Sequence, residues 1–346
     1  MTLKTQRLLT RARKIANKGE IEEAEKLYSM ILEASPENKE AKDELSALKH
    51  RKVQQEPPQE KIHSIISLFT NNQFQEALDD VNTLINGYPN SALLYNIRAS
   101  CCKAIGQLDT AVKGYEKALA LKADYAEAHY NLGVTLRELG QIDAAIKSYK
   151  QALTIKPDYV GGHNNLGNIF LELGQLDNAV DHFEWAVAYK PDFAEAHNNL
   201  GNALLTIGRL DDAVKSYEKT LTLNPDYTEA HNNLGIAFLK LDQLDAAVKS
   251  FEKAINIKPD YDKAHSNLGN AFKELGQLDM AAKNYEKAIA INPDYAEAHN
   301  NLGVIFKELG QLDDAVKSYK KALAINSDYA IAHNNLDIAL KELSSK

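Results

Sequence analysis

Residues 194–227 read AEAHNNLGNALLTIGRLDDAVKSYEKTLTLNPDY, and closely similar stretches follow one another along most of the chain. Residues 296–329 match this stretch at 22 of 34 positions. A fixed period of this length predicts a stack of similar supersecondary units, each of which buries its apolar face against its neighbours. Eight contiguous units begin at residues 58, 92, 126, 160, 194, 228, 262 and 296, and positions within a unit are numbered 1 to 34 from its first residue.

Two amphipathic helices are predicted in each unit. In the unit that begins at residue 194, Leu200 and Leu204 lie on one face of a first helix, and Ala213 and Tyr217 lie on one face of a second. Both sets follow the 3.6-residue period of an α-helix. The sequence therefore predicts an all-α fold built from helix pairs.

Turn residues separate the predicted helices at fixed positions. Position 15 ends the first helix, where a residue in the left-handed conformation is favoured, and proline at position 32 stops the second helix. Asp192 precedes Glu195 by three residues, which is the spacing of a capping box for the next helix. Position 15 holds Gly19, Asn72, Gly106, Gly140, Gly174, Gly208, Asp242, Gly276 and Gly310.

A second set of glycines lies inside the first helix, at position 8 of six units, as at Gly235. Glycine in a helix interior costs roughly 0.5–1 kcal/mol relative to alanine, so its repetition predicts a close helix–helix approach. Position 20, across the turn, is alanine in every contiguous unit, as at Ala247. We therefore expect small residues to face small residues at this approach.

These positions resemble the tetratricopeptide repeat (TPR) consensus, for example at Leu302, Gly303, Ala315 and Tyr319 of the last unit. Position 4 is most often tryptophan in that family and is histidine here. This histidine, together with the motif AEAHNNLG, makes the repeats resemble those of the TPR superhelix of O-linked N-acetylglucosamine transferases and their bacterial relatives. The N-terminal segment is similar to TPR regions attached to bacterial sulfotransferases or glycosyltransferases. The resemblance implies a right-handed superhelical solenoid of antiparallel helix pairs.

The pattern predicts four segments along the chain. Residues 1–53 form a divergent N-terminal unit followed by an extra helix, and residues 54–60, QQEPPQE, form a linker that contains a proline pair. Residues 58–329 are the eight contiguous units. Residues 330–346 are half a unit, and we expect them to form a capping helix whose Ala332, Leu336 and Leu340 cover the last unit.

The composition is that of a soluble globular protein, with 44% hydrophobic and 25% charged residues. A net charge of −8 argues against nucleic acid as the main partner, and no apolar run is long enough to span a membrane. The first 19 residues hold six basic and no acidic residues, which fits either a targeting segment or the first helix of the divergent unit. Cys101 and Cys102 fit either apolar packing or a redox pair. A chain with only two cysteines is typical of a reducing compartment, and we therefore expect a cytoplasmic protein.

Motifs for catalysis or cofactor binding are missing from the sequence, which has no phosphate-binding loop, dinucleotide fingerprint, Cys-x-x-Cys pair or nucleophile elbow. We therefore expect no enzymatic activity and no cofactor. Histidines at position 4 of neighbouring units lie about 10 Å apart, too far to share one metal ion, and are interpreted as packing residues. Trp185, the only tryptophan, falls outside the packing pattern and is either an exposed contact residue or partly buried.

Position 6 is asparagine without a break, and it lies on the face of the first helix opposite the packing face. One interpretation is a hydrogen bond between neighbouring units, or simple inheritance by duplication. The other is a ladder of amides that offer a donor and an acceptor to a peptide backbone, and the resemblance to the transferase superhelix, whose asparagines hold peptide backbones, favours it. The candidate peptide-binding residues are Asn131, Asn165, Asn199, Asn233, Asn267, Asn301 and Asn335.

Three functions are consistent with these observations. The first is a non-catalytic scaffold for protein–protein interaction that binds an extended polypeptide in the concave groove. The second is the substrate-recognition region of a glycosyltransferase or sulfotransferase whose catalytic domain is absent from this chain. The third is self-association of the array. In each case the expected partner is a protein or an extended peptide, with no nucleic acid, membrane or metal ion.

Overall fold

The computed structural model describes residues 3–18, 20–53 and 56–345. Within these residues the chain is all-α, with twenty helices that pack in sequence as antiparallel pairs, so the predicted all-α repeat array is confirmed. No helix of this described part has the length and apolar content that a membrane span requires. Gly19, residues 54 and 55 of the predicted linker, and residues 1, 2 and 346 lie outside it.

The chain separates into two compact blocks, Met1–Pro157 and Asp158–Lys346. The N-terminal block contains α1 (Leu3–Asn17), α2 (Ile21–Ala34), α3 (Lys39–Val53), α4 (Gln59–Thr70), α5 (Phe74–Gly87), α6 (Ala92–Ala104), α7 (Leu108–Leu121), α8 (Ala126–Glu138) and α9 (Ile142–Ile155). The C-terminal block contains α10 (Val160–Glu172), α11 (Leu176–Tyr189), α12 (Ala194–Thr206), α13 (Leu210–Leu223), α14 (Thr228–Lys240), α15 (Leu244–Ile257), α16 (Asp262–Glu274), α17 (Leu278–Ile291), α18 (Ala296–Glu308), α19 (Leu312–Ile325) and α20 (Ala330–Ser344).

The first three helices of the N-terminal block share one apolar core. Ala12 and Ile15 of α1 pack with Tyr28 of α2 and Leu45 of α3, and all four are buried. Leu8 is partly buried at the edge of the same cluster. Helix α1 therefore packs as the first helix of the divergent unit, and α3 is the predicted extra helix. The segment boundaries given above remain a prediction.

Two layers of helices form the C-terminal block. The first helix of each unit, here the A helix (α10, α12, α14, α16, α18 and α20), contacts the second helix of its own unit, the B helix (α11, α13, α15, α17 and α19). Each B helix also contacts the A helix of the next unit. Helix α12 touches α10 and α14 directly, and α14 touches α16, so these four A helices form a continuous layer. Helix α18 likewise touches α20.

Position 15 adopts the left-handed conformation that the sequence predicts, in every contiguous unit. The backbone φ angles run from 59° at Asp242 to 83° at Gly208. Asn72, with φ of 61°, and Asp242 stand where the other units have glycine, because asparagine and aspartate tolerate this conformation best among the remaining residues. The turn ends the A helix and reverses the chain into the B helix.

The predicted capping box is wrong. The N-cap of α12 is Phe193, at position 34, and it makes no side-chain cap hydrogen bond. Asp192 lies one residue outside the N-cap, so its carboxylate is out of register with the helix N–H groups that a capping box uses. The other A helices also begin after an aromatic residue, as at Tyr227 and Tyr261.

Each position-8 glycine allows the close approach that the sequence predicts, but the partner is not the position-20 alanine. A Cβ atom built on Gly235 would lie 2.6 Å from Cε1 of Phe251, and one on Gly201 would lie 2.6 Å from Cε1 of Tyr217. The nearest neighbour is thus the aromatic ring at position 24 of the same unit. The expectation that small residues face small residues is corrected: glycine makes room for a buried ring.

The last helix, α20, covers the end of the final unit. Ala332 and Ala339 are fully buried, and Leu336 packs against the cluster formed by Val316 and Tyr319. Leu340, which we expected to cover the same surface, is 40% exposed, because Ala339 and not Leu340 points to α19. One face of α20 therefore covers the last unit, while Ile331, at 60%, is exposed on its other side. The role of the helix as the terminal cap that repeat arrays require remains a prediction.

Candidate functional site

The candidate site is the polar face of the A helices in the C-terminal block. Asparagines at position 6 are half-buried there, whereas their neighbours at position 5, such as Asn232 and Asn300, are only 4% and 3% exposed. Buried amides must be hydrogen-bonded, because an unpartnered polar group costs about 1–3 kcal/mol. The arrangement of these amides therefore determines which polar atoms are left for a ligand.

A hydrogen-bonded network links three consecutive units. Tyr217 Oη donates to Asn202 Oδ1 at 2.8 Å, and Asn233 Nδ2 donates to the same oxygen at 2.9 Å. Asn232 Nδ2 then donates to Asn233 Oδ1 at 3.1 Å, and Asn267 Nδ2 donates to Asn232 Oδ1 at 2.9 Å. The position-6 asparagine of one unit thus binds a side chain of the unit before it.

The same network recurs two units later along the chain. Tyr285 Oη and Asn301 Nδ2 both donate to Asn270 Oδ1, at 2.6 and 3.3 Å. Asn300 Nδ2 donates to Asn301 Oδ1 at 3.2 Å, and Asn335 Nδ2 donates to Asn300 Oδ1 at 3.0 Å. All five residues are displaced by 68 positions from their counterparts, so the network has a period of two units.

The alternation follows from positions 9 and 24. Where position 9 is Asn202 and position 24 is Tyr217, the tyrosine and the next ladder asparagine both donate to the position-9 oxygen. Where position 9 is Asn168 but position 24 is Phe183, the next ladder asparagine donates to the position-5 residue instead. Where position 9 is Ile236 and position 24 is Phe251, no such acceptor exists, and Asn267 donates to the position-5 asparagine instead. Burial raises the pKa of the Tyr217 hydroxyl, which keeps it protonated as a donor.

Two of the remaining ladder residues are also held by neighbouring side chains. Asn199 Nδ2 donates to Asn164 Oδ1 at 3.2 Å. In the N-terminal block, Asn131 Nδ2 donates to Asn96 Oδ1 at 3.3 Å. Asn165 has an interaction as well. The structure therefore shows the hydrogen bonds between units that the first interpretation of the ladder expects.

Two classes of ladder asparagine result. In Asn233 and Asn301, both the carbonyl oxygen and one N–H are used by the network. In Asn199, Asn267 and Asn335, one N–H is used, and Oδ1 has no partner among the described residues and is not a buried atom. An amide has two N–H donors and one carbonyl acceptor, so these three residues still offer a donor and an acceptor to a ligand.

Charged residues flank the ladder on the same helices. Glu195, Glu229, Glu274, Glu297 and Glu308 are all exposed. Glu195 accepts a hydrogen bond from Asn164 Nδ2 at 3.2 Å, which ties it to the ladder. Because carboxylates outnumber lysines at these positions, the face presents a negative rim around a row of neutral amides.

The position-4 histidines hold the turns between units. His197 Nε2 lies 3.1 Å from the carbonyl oxygen of Pro191, and His231 Nε2 lies 2.9 Å from that of Pro225. Burial lowers the pKa of His197, and Lys219 lowers it further, while the Pro191 carbonyl opposes this shift. These histidines therefore pack and also donate one hydrogen bond to the preceding turn. The same contact is made by His129, His265, His299 and His333.

Metal and thiol chemistry find little support in the part of the chain that the structure describes. No group of three or more His, Cys, Asp or Glu side chains is arranged there to hold a metal ion. Cys101 and Cys102 are free and buried, and burial raises the pKa of Cys101 to about 11. A protonated, buried thiol is a poor nucleophile, so the pair fits apolar packing.

Sequence reasoning missed the partners of the ladder. The position-5 and position-9 asparagines and the position-24 tyrosines build the network, although they were visible in the sequence as Asn-Asn pairs and as asparagine at position 9 of some units, such as Asn202 and Asn270. Their roles depend on distances across units, which periodicity alone does not provide.

Family models that match the chain all describe tetratricopeptide repeats. A model described as TPR repeat matches residues 102–136, 135–174, 237–276 and 269–310. Three models described as Tetratricopeptide repeat match residues 164–228, 216–249 and 296–329. Together these matches run without a gap from residue 102 to residue 329. No curated protein matches the sequence.

Solved structures with a similar fold are also TPR proteins or their complexes. A tetratricopeptide repeat protein from Parabacteroides merdae ATCC 43184 is 18% identical over 72% of this chain and 98% of its own, with a TM-score of 0.56. The APC/C hetero-tetramer Cut9-Hcn1 has a chain that is 15% identical over 97% of this chain and 76% of its own, with a TM-score of 0.55. YrrB, described as a TPR protein with an unusual peptide-binding site, is 24% identical over 53% of this chain and 95% of its own, with a TM-score of 0.49.

Proposed function

The chain belongs to the tetratricopeptide repeat family, whose members mediate protein–protein interaction, and from this premise we propose that it is a non-catalytic, cytoplasmic scaffold that binds an extended polypeptide. The binding surface is the A-helix face of the C-terminal block, with the ladder asparagines as the residues that bind the peptide backbone. Asn131 offers the same chemistry in the N-terminal block.

The observation that carries this proposal is the open acceptor of Asn199, Asn267 and Asn335. Each of these amides has one N–H engaged by the preceding unit, which fixes its orientation, and leaves Oδ1 and a second N–H for a ligand. A peptide bond offers one N–H donor and one C=O acceptor. Its N–H can donate to the open Oδ1 of such an amide, and its C=O can accept from the free N–H of the same amide. Because these bonds ignore the ligand's side chains, the surface suits segments of varied sequence.

The spacing of the ladder fits an extended chain. From Asn199 to Asn335 there are four steps between neighbouring units, and at about 10 Å a step they cover about 40 Å. An extended peptide covers about 3.3 Å per residue, so each unit faces about three ligand residues. The open acceptors, which occur at every second unit, would then meet about every sixth residue of the peptide.

Charge along the rim gives the surface a moderate preference. The exposed carboxylates, such as Glu229, Glu297 and Glu308, favour a ligand with basic residues, while Lys273 and Lys307 reduce the net negative charge. Exposed charges are screened within about 8–10 Å at physiological salt. We therefore expect weaker binding of basic peptides as salt is raised, and binding of neutral peptides that hardly responds to salt.

The resemblance to the superhelix of O-linked N-acetylglucosamine transferases leads to a more specific alternative, in which the same surface presents substrate to a transferase domain. The resemblance rests on the position-4 histidines and on the motif AEAHNNLG. None of the matches described above is to such an enzyme, so this function remains a prediction.

The test compares two variants that lose similar numbers of network hydrogen bonds. Asn199→Ala/Asn267→Ala/Asn335→Ala removes the open acceptors, and Asn233→Ala/Asn301→Ala removes the two asparagines whose oxygens are occupied. Binding is measured by fluorescence anisotropy with a labelled, unstructured peptide of glycine, serine and lysine, and folding by circular dichroism. We expect the first variant to weaken binding about fivefold for each lost bond, and the second to weaken it much less while lowering the melting temperature at least as far.

Two outcomes would contradict the proposal. If the first variant binds the peptide as tightly as the natural chain does, the open acceptors are not the site. If both variants lose affinity only in proportion to their loss of folded structure, the asparagines serve only to join the units.

A further inference from the structure

Helix α11 carries an exposed aromatic pair on its outer face. Trp185 is 52% exposed and Tyr189 is 43% exposed. Their rings stack, with centroids 5.7 Å apart and an angle of 21° between the planes. Residues four apart lie on one face of a helix, so the two rings form a continuous apolar surface. Large exposed apolar surfaces mark interaction sites more often than chance.

Three further rings support this pair from behind. The His163 ring lies 6.3 Å from that of Trp185 and 5.9 Å from that of Tyr189, centroid to centroid. His163 is only 8% exposed and its Nδ1 lies 3.0 Å from Nδ1 of His182. Phe170 stacks on His182 with centroids 5.5 Å apart. The exposed rings therefore rest on His163, which is itself packed against His182.

The other B helices of this block have a different surface at the same positions. Position 26 is Trp185 in α11 and lysine in α13, α15, α17 and α19, and position 22 is Asp181 in α11 and lysine in those four helices. Helix α11 contains no lysine or arginine at all. At positions 22 and 26, α11 thus has a carboxylate and an indole ring where the four later B helices have two cations, so the charge of the surface is reversed. The lysines are Lys215, Lys219, Lys249, Lys253, Lys283, Lys287, Lys317 and Lys321.

One stripe of α11 combines the carboxylates with the rings. Asp177, Asp181, Trp185 and Tyr189 follow each other at intervals of four residues, and both aspartates are exposed. Neither aspartate forms an ion pair or a side-chain hydrogen bond with another described residue. Glu184 is not counted, because its charge acts on the nearby Arg209. The stripe runs over thirteen residues of helix, and its twelve steps of about 1.5 Å cover about 18 Å.

We propose that this stripe is a second docking surface, which binds an arginine-bearing segment of a protein partner. A guanidinium stacks on the faces of Trp185 and Tyr189, because aromatic rings attract cations within about 6 Å of their centroids. Arginine suits the site better than lysine, since its planar group stacks and also donates in a fork to a carboxylate. Asp181 and Asp177 receive the next basic group along the segment. About five extended residues span the stripe.

The single tryptophan provides a direct readout. The probe is the peptide (Arg-Gly-Ser)4, titrated into the full chain while the emission of Trp185 is recorded. The matched control is the same peptide with citrulline in place of arginine, which keeps the shape and removes the charge. We expect saturable quenching or a spectral shift with the arginine peptide, and an affinity at least about tenfold lower with the citrulline peptide.

Two variants assign the effect to the stripe. Asp177→Asn/Asp181→Asn keeps the fluorescent reporter, and we expect it to weaken the arginine peptide about fivefold. Trp185→Lys installs the residue of the four later units, and we expect it to abolish binding as measured by anisotropy of a labelled peptide. Circular dichroism checks that both variants fold, which the exposed positions favour.

The results that would overturn this proposal differ from those that would overturn the proposed function. Equal binding of the arginine and citrulline peptides, or unchanged affinity in Trp185→Lys, excludes the stripe as a cation site. The Asn199→Ala/Asn267→Ala/Asn335→Ala variant should retain the full response of Trp185. If it loses binding while Trp185→Lys keeps it, the arginine peptide lies on the A-helix face, and only the stripe proposal fails.

Discussion

Replacing Gly235 by alanine would place a Cβ atom 2.6 Å from Cε1, 2.7 Å from Cδ1 and 2.9 Å from Cζ of Phe251. Carbon atoms in contact normally lie about 3.5–4.0 Å apart, so the ring would have to move by about 1 Å. Phe251 is fully buried and packs with Ala247, Leu268 and Ala271, which leave it little room. Overpacking of this kind costs about 1–3 kcal/mol.

A gain in helix propensity opposes this cost. Alanine is favoured over glycine in a helix by about 0.5–1 kcal/mol, so we expect Gly235→Ala to be destabilising by about 1–2 kcal/mol. The matched control is Gly87→Ala in α5, where the added Cβ meets nothing within 4 Å and φ is not left-handed. That control, at the last residue of α5, should be stabilised by up to about 1 kcal/mol, because alanine lowers the entropy of the unfolded chain without a clash in the folded one.

The assay is urea unfolding followed by circular dichroism at 222 nm, with Phe251→Leu and the double variant completing a cycle. Because leucine removes the ring edge that the new Cβ meets, the double variant should be more stable than the sum of the single effects, with a coupling of about 0.5–3 kcal/mol. If Gly235→Ala is as stable as the natural chain, or if Phe251→Leu gives no coupling, the close approach of ring and glycine does not limit packing.

Three more predictions concern the cap, the turns and the network. Deletion of residues 330–345 uncovers Val316 and Tyr319, so we expect concentration-dependent association in sedimentation, and a monomeric, equally stable deletion variant would contradict the capping role. Burial lowers the pKa of His197 in the folded chain, whereas a histidine in the unfolded chain has a pKa near 6.5. The stability that the neutral histidine provides is therefore present above about pH 6.5 and is lost as the pH falls below it, because the unfolded chain binds the proton first. Melting temperature should therefore fall less between pH 7 and pH 5 in His197→Gln than in the natural chain, and equal falls would refute this. Asn233→Ala leaves the buried amide of Asn232 without its acceptor, which should cost about 1–3 kcal/mol in urea unfolding, whereas Asn334→Ala, at an exposed position 5, should change the stability by less than about 0.5 kcal/mol.

Local conformation was predictable where only one or two residue types suit it. Position 15 needs a left-handed residue, and glycine, Asn72 and Asp242 are the types that tolerate it, so the helix ends followed from the sequence. The burial of Ala12 and Ile15 followed from helical periodicity in the same way.

Contacts between helices were not predictable in the same way. The period shows that Gly235 needs space but not that Phe251 fills it, because the two helices can be rotated against each other without changing the pattern. The capping box failed because one residue of register separates Asp192 from the N-cap. The division of the ladder into two classes depends on distances near 3 Å between Oδ1 and Nδ2 atoms of different units. The residue types at position 9, such as Asn202 and Ile236, do not give these distances until the helices are packed.

The central claim is that the open amides of Asn199, Asn267 and Asn335 bind a peptide backbone. The most direct measurement is a two-dimensional proton–nitrogen NMR spectrum of the full chain with ¹⁵N-labelled asparagine, recorded as the glycine, serine and lysine peptide is added. The account predicts that the side-chain NH₂ signals of these three residues shift with the binding curve, and that those of Asn233 and Asn301 shift less. Saturable binding that leaves all five side-chain signals in place would contradict it.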